Sequence, residues 1–214
     1  MDGVIGFVPR VVSLRDGRRV WIRAGGPDDA AAYREYLVRA VPSAEGVVMD
    51  PDEIEPVGVY RERLARYLPE KGGLGLFAVP VSEDGSPGDA AAGSSADSSD
   101  GPPAGGVIVG DCGLSGFGRR RMGGVLALGM MCDHGWRGVE PARAMLTAAL
   151  DWARANASSP LGVRRVEPNV MAWNEPALAL YRSPGFWVEG RPRARFRRPG
   201  GSLADDPAVA PAVG

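Results

Sequence analysis

Apolar and polar residues alternate over residues 18–24 (Arg18, Arg19, Val20, Trp21, Ile22, Arg23, Ala24), the period-two signature of a half-buried strand. Gly25 and Gly26 end it. Pro27 suits the first turn of a helix, and Asp28 and Asp29 suit its positive end. The spacing then becomes helical and predicts a helix to about Ala40, with Ala31, Tyr33, Leu37 and Ala40 among its apolar positions. Val59, Leu64 and Leu68 predict a second helix over about 55–68. The apolar run at 74–81 predicts a buried strand. Strands are predicted again at 107–110 and 122–132, with a turn at 116–121 between them. The clearest helix is 141–156, where Ala142, Met145, Leu146, Ala149, Leu150 and Ala153 recur at three- and four-residue steps. A strand at 163–170, a short helix at 175–183 and a strand from Phe186 follow. The order β-α-α-β-β-β-α-β-α-β predicts an α/β fold, a mixed sheet with helices on both faces.

Two stretches break the pattern. Residues 82–105 are almost wholly Ser, Gly, Asp, Ala and Pro, too apolar-poor to offset their ordering entropy, and are predicted to be a disordered insertion. The segment from Pro199, rich in Pro, Gly and Ala, is predicted to be a loose tail over 199–214. One domain, 18–198, is expected between them.

Composition narrows the function classes. The 214 residues are 44% hydrophobic and 24% charged, as in an ordinary globular protein, and a net charge of −1 offers no general attraction for nucleic acid or membrane. Two cysteines, Cys112 and Cys132, and one histidine, His134, argue against a disulfide scaffold, a metal centre or a Ser-His-Asp triad. The two thiols are expected to be free and buried. No run approaches the roughly 20 apolar residues of a membrane span, and residues 1–8 lack the basic start of a signal peptide. A cytoplasmic protein is expected. Arg191, Arg193, Arg195, Arg197 and Arg198 form a basic row, most simply a solvated face.

The chemistry concentrates in two runs: Trp136-Arg137-Gly138-Val139-Glu140-Pro141-Ala142-Arg143, opening the longest helix, and Asn174-Glu175-Pro176-Ala177-Leu178-Ala179-Leu180-Tyr181-Arg182-Ser183-Pro184-Gly185-Phe186. Together they resemble the coenzyme-A-binding half of the GNAT N-acetyltransferases, and the element order over 18–198 is similar to theirs. The resemblance implies the GNAT fold and transfer of an acetyl group from acetyl-CoA to a primary amine by direct attack in a ternary complex. The acceptor would be an amine-bearing small molecule or a protein N-terminus, and a homodimer is possible; the bacterial source expected here comes from the glycine- and arginine-rich composition. It implies that Arg137, Gly138, Val139, Glu140, Ala142 and Arg143 hold the diphosphate through backbone N–H groups, since a helix start offers unpaired donors and a positive dipole end. It implies that Met130, Met131 and Cys132 meet the pantetheine arm, that Asn174 binds the coenzyme near its amides, and that Tyr181 protonates the departing thiolate. The preceding strand and the one carrying Pro168 would splay to admit the arm.

Two positions depart from the family's Arg/Gln-x-x-Gly-x-Gly/Ala loop. Glu140 replaces the central glycine and puts a carboxylate where phosphate should lie; Pro141 removes one N–H donor. These changes leave a second reading open, a GNAT-fold binding or regulatory protein with weak or no coenzyme binding. For the general base, Glu167 is the first choice, ahead of Asp133 and His134. The closing strand of the family is expected to be short, irregular or missing in the proline-bearing 203–211 segment.

Overall fold

A computed structural model describes residues 3–44, 46–81, 106–168, 170–190, 192–197, 201–205 and 208–210. The predicted insertion at 82–105 lies outside them. The strands are β1 (Arg10–Ser13), β2 (Arg19–Ala24), β3 (Leu74–Pro80), β4 (Gly110–Gly116), β5 (Val125–Cys132), β6 (Arg165–Pro168), β7 (Trp187–Gly190), β8 (Phe196–Arg197), β9 (Leu203–Ala204) and β10 (Ala208–Ala210). The α-helices are α1 (Ala30–Ala40), α2 (Val57–Leu64), α3 (Pro141–Ala155) and α4 (Glu175–Arg182).

Strands β1 to β6 form one sheet in chain order, antiparallel throughout except for the parallel pair β5–β6. Because side chains alternate across a strand, the sheet presents two faces. Leu74, Leu76, Cys112, Leu114, Leu126 and Leu128 pack with Met145, Leu146, Ala149 and Trp152 of α3 and with Leu178 and Tyr181 of α4. Phe77 and Val79 turn the other way, to Tyr36, Leu37, Tyr60 and Leu64 of α1 and α2. Helices on both faces explain why β3 is buried over six of its seven residues and reads as a continuous apolar run.

Three differences from the sequence reading have physical causes. The body begins ahead of residue 18: β1 pairs with β2, and Ile5 exchanges hydrogen bonds with the Asn156 side chain and receives one from Trp152 Nε1 at 2.7 Å. Strand β4 starts at Gly110 rather than 107, although Val109 already bonds to Ala78 O and accepts from Asp133 N. The tail expected to be loose carries β10, which pairs antiparallel with β7 and shifts register between Ala208 and Val209. Three residues between prolines are enough to fill the space left beside β7.

The entry to α1 is fixed electrostatically. Asp29 accepts both Arg23 guanidinium nitrogens, at 3.0 and 2.6 Å, and the Gly26 N–H at 2.9 Å. Both side chains of the pair are at most 5% exposed.

Candidate active site

Strands β5 and β6 are in register from Val125↔Arg165 to Leu128↔Pro168, and there the pairing stops, while β5 continues beside β4 to Cys132. Pro168 is the last paired residue of β6. A proline cannot donate to a ladder, so it suits the point where two strands part. Beyond the gap lies a cavity of about 860 Å³, toward the upper end of small-ligand sites. Met130, Met131 and Cys132 line it from β5; Arg137, Gly138, Glu140, Pro141, Ala142 and Arg143 from the head of α3; Trp173, Asn174 and Ala177 from the start of α4; and Ser43, Gly46 and Val47 from the loop after α1.

The loop into α3 carries the departures. Gly138 has φ +76° and Glu140 has φ 76°, ψ 21°. Glu140 therefore stands in the left-handed conformation that glycine adopts freely and a side-chain-bearing residue adopts at a cost of roughly 1–2 kcal/mol. The backbone keeps the glycine shape without the glycine. The Glu140 carboxylate accepts from Arg143 Nε at 3.2 Å, and Arg143 Nη1 donates to Ser183 Oγ at 2.7 Å. The acid is thus turned along the helix toward a cation.

Pro141 occupies the first helical position, where the missing N–H costs least. The Ala144 N–H returns to Glu140 O. The N–H groups of Gly138, Val139, Glu140 and Arg143 have no acceptor among the described residues. Four unpaired donors at a helix start make an anion cradle. Val139 differs in its side chain, which packs on the core and does not line the cavity. Arg137 clamps the site: it donates to Cys132 O at 3.2 Å, Ser43 O at 2.7 Å and Ser43 Oγ at 3.2 Å.

Asn174 caps α4, its Oδ1 accepting the Ala177 N–H at 3.2 Å, and its amide faces Gly46 so closely that a Cβ there would lie 2.0 Å from Nδ2. Tyr181, two turns on, does not share the cavity wall as expected. It is buried against Phe186, with ring centroids 5.6 Å apart, and its hydroxyl has no partner among the described residues. Burial, then the neighbouring Cys112 and Cys132 sulfurs, push its pKa up, so it stays protonated. Both cysteines are free and buried; burial pushes the Cys132 thiol up to about 12.

The structure does not bring Glu167 to the cavity. Glu167 lies opposite Ala127, in the paired part of β5–β6, and its carboxylate accepts from Arg165 Nε at 2.6 Å. Arg165 in turn grips Glu189 on β7, with one contact at 2.9 Å. Hydrogen bonds to Glu189 and then Glu167 raise the Arg165 pKa further. Glu167 is a strand-to-strand tie. Asp133, the weaker choice, accepts from Gly135 N and Arg39 Nε and caps the turn His134–Trp136. His134 lines the cavity but is exposed.

A carboxylate that sequence reasoning passed over stands on the other face of β5. Asp111 of β4 accepts from Tyr36 Oη at 2.9 Å and Tyr33 Oη at 3.4 Å and lines a second cavity of about 200 Å³. Met130, Met131 and Val47 line both cavities, so the two meet at the splayed end of β5.

Comparison with solved structures agrees with this architecture. The chain has the fold of the GNAT acetyltransferases. Similar structures include a GNAT-family acetyltransferase from Streptococcus pneumoniae (TM-score 0.71, 19% identity, covering 90% of this chain and 99% of that one). Another is a phosphinothricin acetyltransferase from Sinorhizobium meliloti in complex with acetyl-CoA (TM-score 0.64, 17% identity, 91% and 89%). A third is a putative acetyltransferase from Salmonella typhimurium with acetyl-CoA (TM-score 0.63, 16% identity, 91% and 94%). No protein-family profile and no curated protein sequence matches the chain. Among the described residues no helix of this GNAT fold is long and apolar enough to cross a membrane, and no cluster of ligating side chains could hold a metal ion.

Proposed function

We propose that the protein is an N-acetyltransferase that moves an acetyl group from acetyl-CoA to a primary amine by direct attack. One observation carries the reading: the gap beyond Leu128 and Pro168 opens into a cavity that reaches three unpaired N–H groups at the head of α3, those of Gly138, Glu140 and Arg143. The solved neighbours with acetyl-CoA support the same cosubstrate.

In this reading Gly138, Glu140 and Arg143 hold the diphosphate through the loop backbone, with Ala142 beside them and Arg137 fixing the loop on Ser43 and Cys132. Val139 contributes its N–H while its side chain anchors the loop to the core. Asn174 bounds the pantetheine path at the start of α4. Met130, Met131 and Cys132 place β5 backbone donors beside the acetyl carbonyl, where fixed dipoles stabilise charge developing on oxygen. Tyr181, buried and protonated outside the cavity wall, gives its proton to the leaving sulfur in this reading when the coenzyme's thiol end presses into that wall. The coenzyme supplies an activated acetyl thioester; the chain supplies position and field.

The test is incubation of the purified protein with acetyl-CoA and a panel of primary amines, following free thiol and N-acetyl product. Equimolar thiol and amide, absent without amine, are expected. Tight acetyl-CoA binding with no product from any amine would favour a binding protein that uses the same cavity, and thiol release independent of amine would contradict direct attack.

A further inference from the structure

We infer that the cavity under α1, walled by Asp111, Tyr33, Tyr67 and Phe77 and floored by Gly129, is the acceptor site, and that it takes a compact cationic amine with an apolar body. The inference rests on the acetyltransferase reading and assigns its acceptor side.

The floor arises from a register that places three glycines abreast: Gly75↔Gly113 across β3–β4 and Gly113↔Gly129 across β4–β5. With no side chains there, the Tyr67 ring lies on the first two. A Cβ at Gly113 would meet the ring at 2.7 Å, and one at Gly75 would meet the Tyr67 Cβ at 3.2 Å and the ring's Cγ at 3.7 Å. The third glycine is uncovered: a Cβ at Gly129 would meet nothing within 4 Å. The next rung is Phe77↔Asp111↔Met131. One carboxylate therefore stands at the end of an apolar slot, one rung from the open glycine.

Asp111 has no cationic partner among the described residues. Its hydrogen bonds come from tyrosines, and Tyr36 has one proton for two acceptors, Asp111 Oδ1 at 2.9 Å and Met131 O at 2.8 Å. Burial, only partly offset by Tyr36 and Tyr33, pushes the carboxyl up to about 6. An entering ammonium supplies the missing positive charge and stabilises the buried carboxylate.

Size selects the rest. At about 30 Å³ per water, the 200 Å³ holds roughly seven water-sized groups. That admits a short alkyl or single-ring amine. A polyamine or a peptide N-terminus would leave most of its length outside the slot and its contacts. Tyr33 stacks on Phe77, with centroids 5.4 Å apart, giving the slot an aromatic wall that suits a ring.

The placement also completes the reaction. One ammonium proton passes through Asp111 to solvent. The nitrogen lone pair forms the C–N bond as the C–S bond breaks toward sulfur, and the second nitrogen proton ends on the coenzyme thiolate.

The probes are benzylamine, spermidine and a tetrapeptide with a free N-terminus, each tested for binding by ligand-observed NMR and for acetylation. Acetyl-CoA affinity is measured separately by calorimetry. Benzylamine is expected to bind and to be acetylated at least tenfold more efficiently than the other two. Asp111→Asn and Gly129→Val should each raise its KM or abolish turnover, with acetyl-CoA affinity held within twofold. Acetylation of spermidine or the tetrapeptide in preference to benzylamine, unaltered by Gly129→Val, would overturn the acceptor assignment and leave the transferase reading standing. Benzylamine binding without acetyl-CoA binding would overturn the transferase reading and leave the slot. Loss of acetyl-CoA affinity in either variant would also overturn the assignment, because the slot would then belong to the coenzyme.

Discussion

Replacing Glu140 by glycine separates what the loop's shape does from what its charge does. Relief of the left-handed strain is worth roughly 1–2 kcal/mol. The greater freedom of glycine when unfolded takes back roughly 0.4–1 kcal/mol. Loss of the half-exposed contact with Arg143 takes roughly 0.3 kcal/mol more. The fold is therefore expected to change by between about −0.3 and about +1.3 kcal/mol. The effect on coenzyme binding is larger. At roughly 6 Å in a water-like dielectric a carboxylate opposes each phosphate charge by about 0.7 kcal/mol, so a diphosphate regains about 1.4 kcal/mol, near tenfold in affinity. Arg143, released from Glu140, adds to this. Glu140→Gln removes the charge and keeps the strained side chain, so it should recover most of the affinity and none of the stability. Calorimetry with acetyl-CoA at 20 and 300 mM salt reads both, and the gain should shrink at the higher salt as the charges are screened. If both variants stay within twofold of the natural chain at low salt, the carboxylate is not near bound phosphate and the argument fails.

Four further predictions follow from particular contacts. Asp111→Asn should raise stability by up to about 3 kcal/mol at pH 7–8 and by little at pH 4. A carboxyl whose folded pKa is raised to about 6 favours the fold below its unfolded value, and that contribution is lost as pH rises through 6. Tyr33, Tyr36 and Tyr67 face Asp111, Cys112 and Cys132 lie near it on the other face of the sheet, and all five are pushed up, so none of them titrates in that window; equal denaturation midpoint shifts at both pH values would contradict this. Asp29→Ala should cost about 3–5 kcal/mol, since it strands Arg23 at a buried site, read from chemical denaturation. Tyr181→Phe should lower kcat at least tenfold with acetyl-CoA KM and thermal midpoint nearly unchanged; an unaltered kcat would make the ring purely a packing element. Arg137→Ala should weaken acetyl-CoA binding by loosening the loop from Ser43 and Cys132, and an unchanged affinity by calorimetry would deny that clamp.

Long-period signals were legible in the sequence. The three- and four-residue repeat of α3 and the Pro27-Asp28-Asp29 start of α1 were plain in the pattern, and the loop motif, through the family resemblance, led to the cavity's α3 wall and to a splay beside Pro168. What was not legible depends on register. Asp111 sits in a short strand, Asp-Cys-Gly-Leu-Ser-Gly, with no motif around it; only the pairing Phe77↔Asp111↔Met131 puts it in the acceptor slot. Gly75, Gly113 and Gly129 lie far apart in the chain and become a floor only across three strands. Alternation from Cys112 and Leu114 assigns Asp111 to the opposite face, the one signal that pointed there. Glu167 was chosen as a carboxylate near the splay, and the Arg165–Glu189 network that occupies it joins residues 24 apart. The identity of Glu140 left coenzyme binding open between two readings; the backbone it preserves is a dihedral angle, which composition does not carry.

The account's central claim is that a diphosphate-bearing thioester enters between β5 and β6 and ends on the head of α3. Calorimetric titration of the natural chain with acetyl-CoA tests it most directly. One site per chain is expected, with affinity that falls as salt rises and an enthalpy signal abolished by prior saturation with CoA. No heat of binding with ligand at millimolar concentration would contradict it.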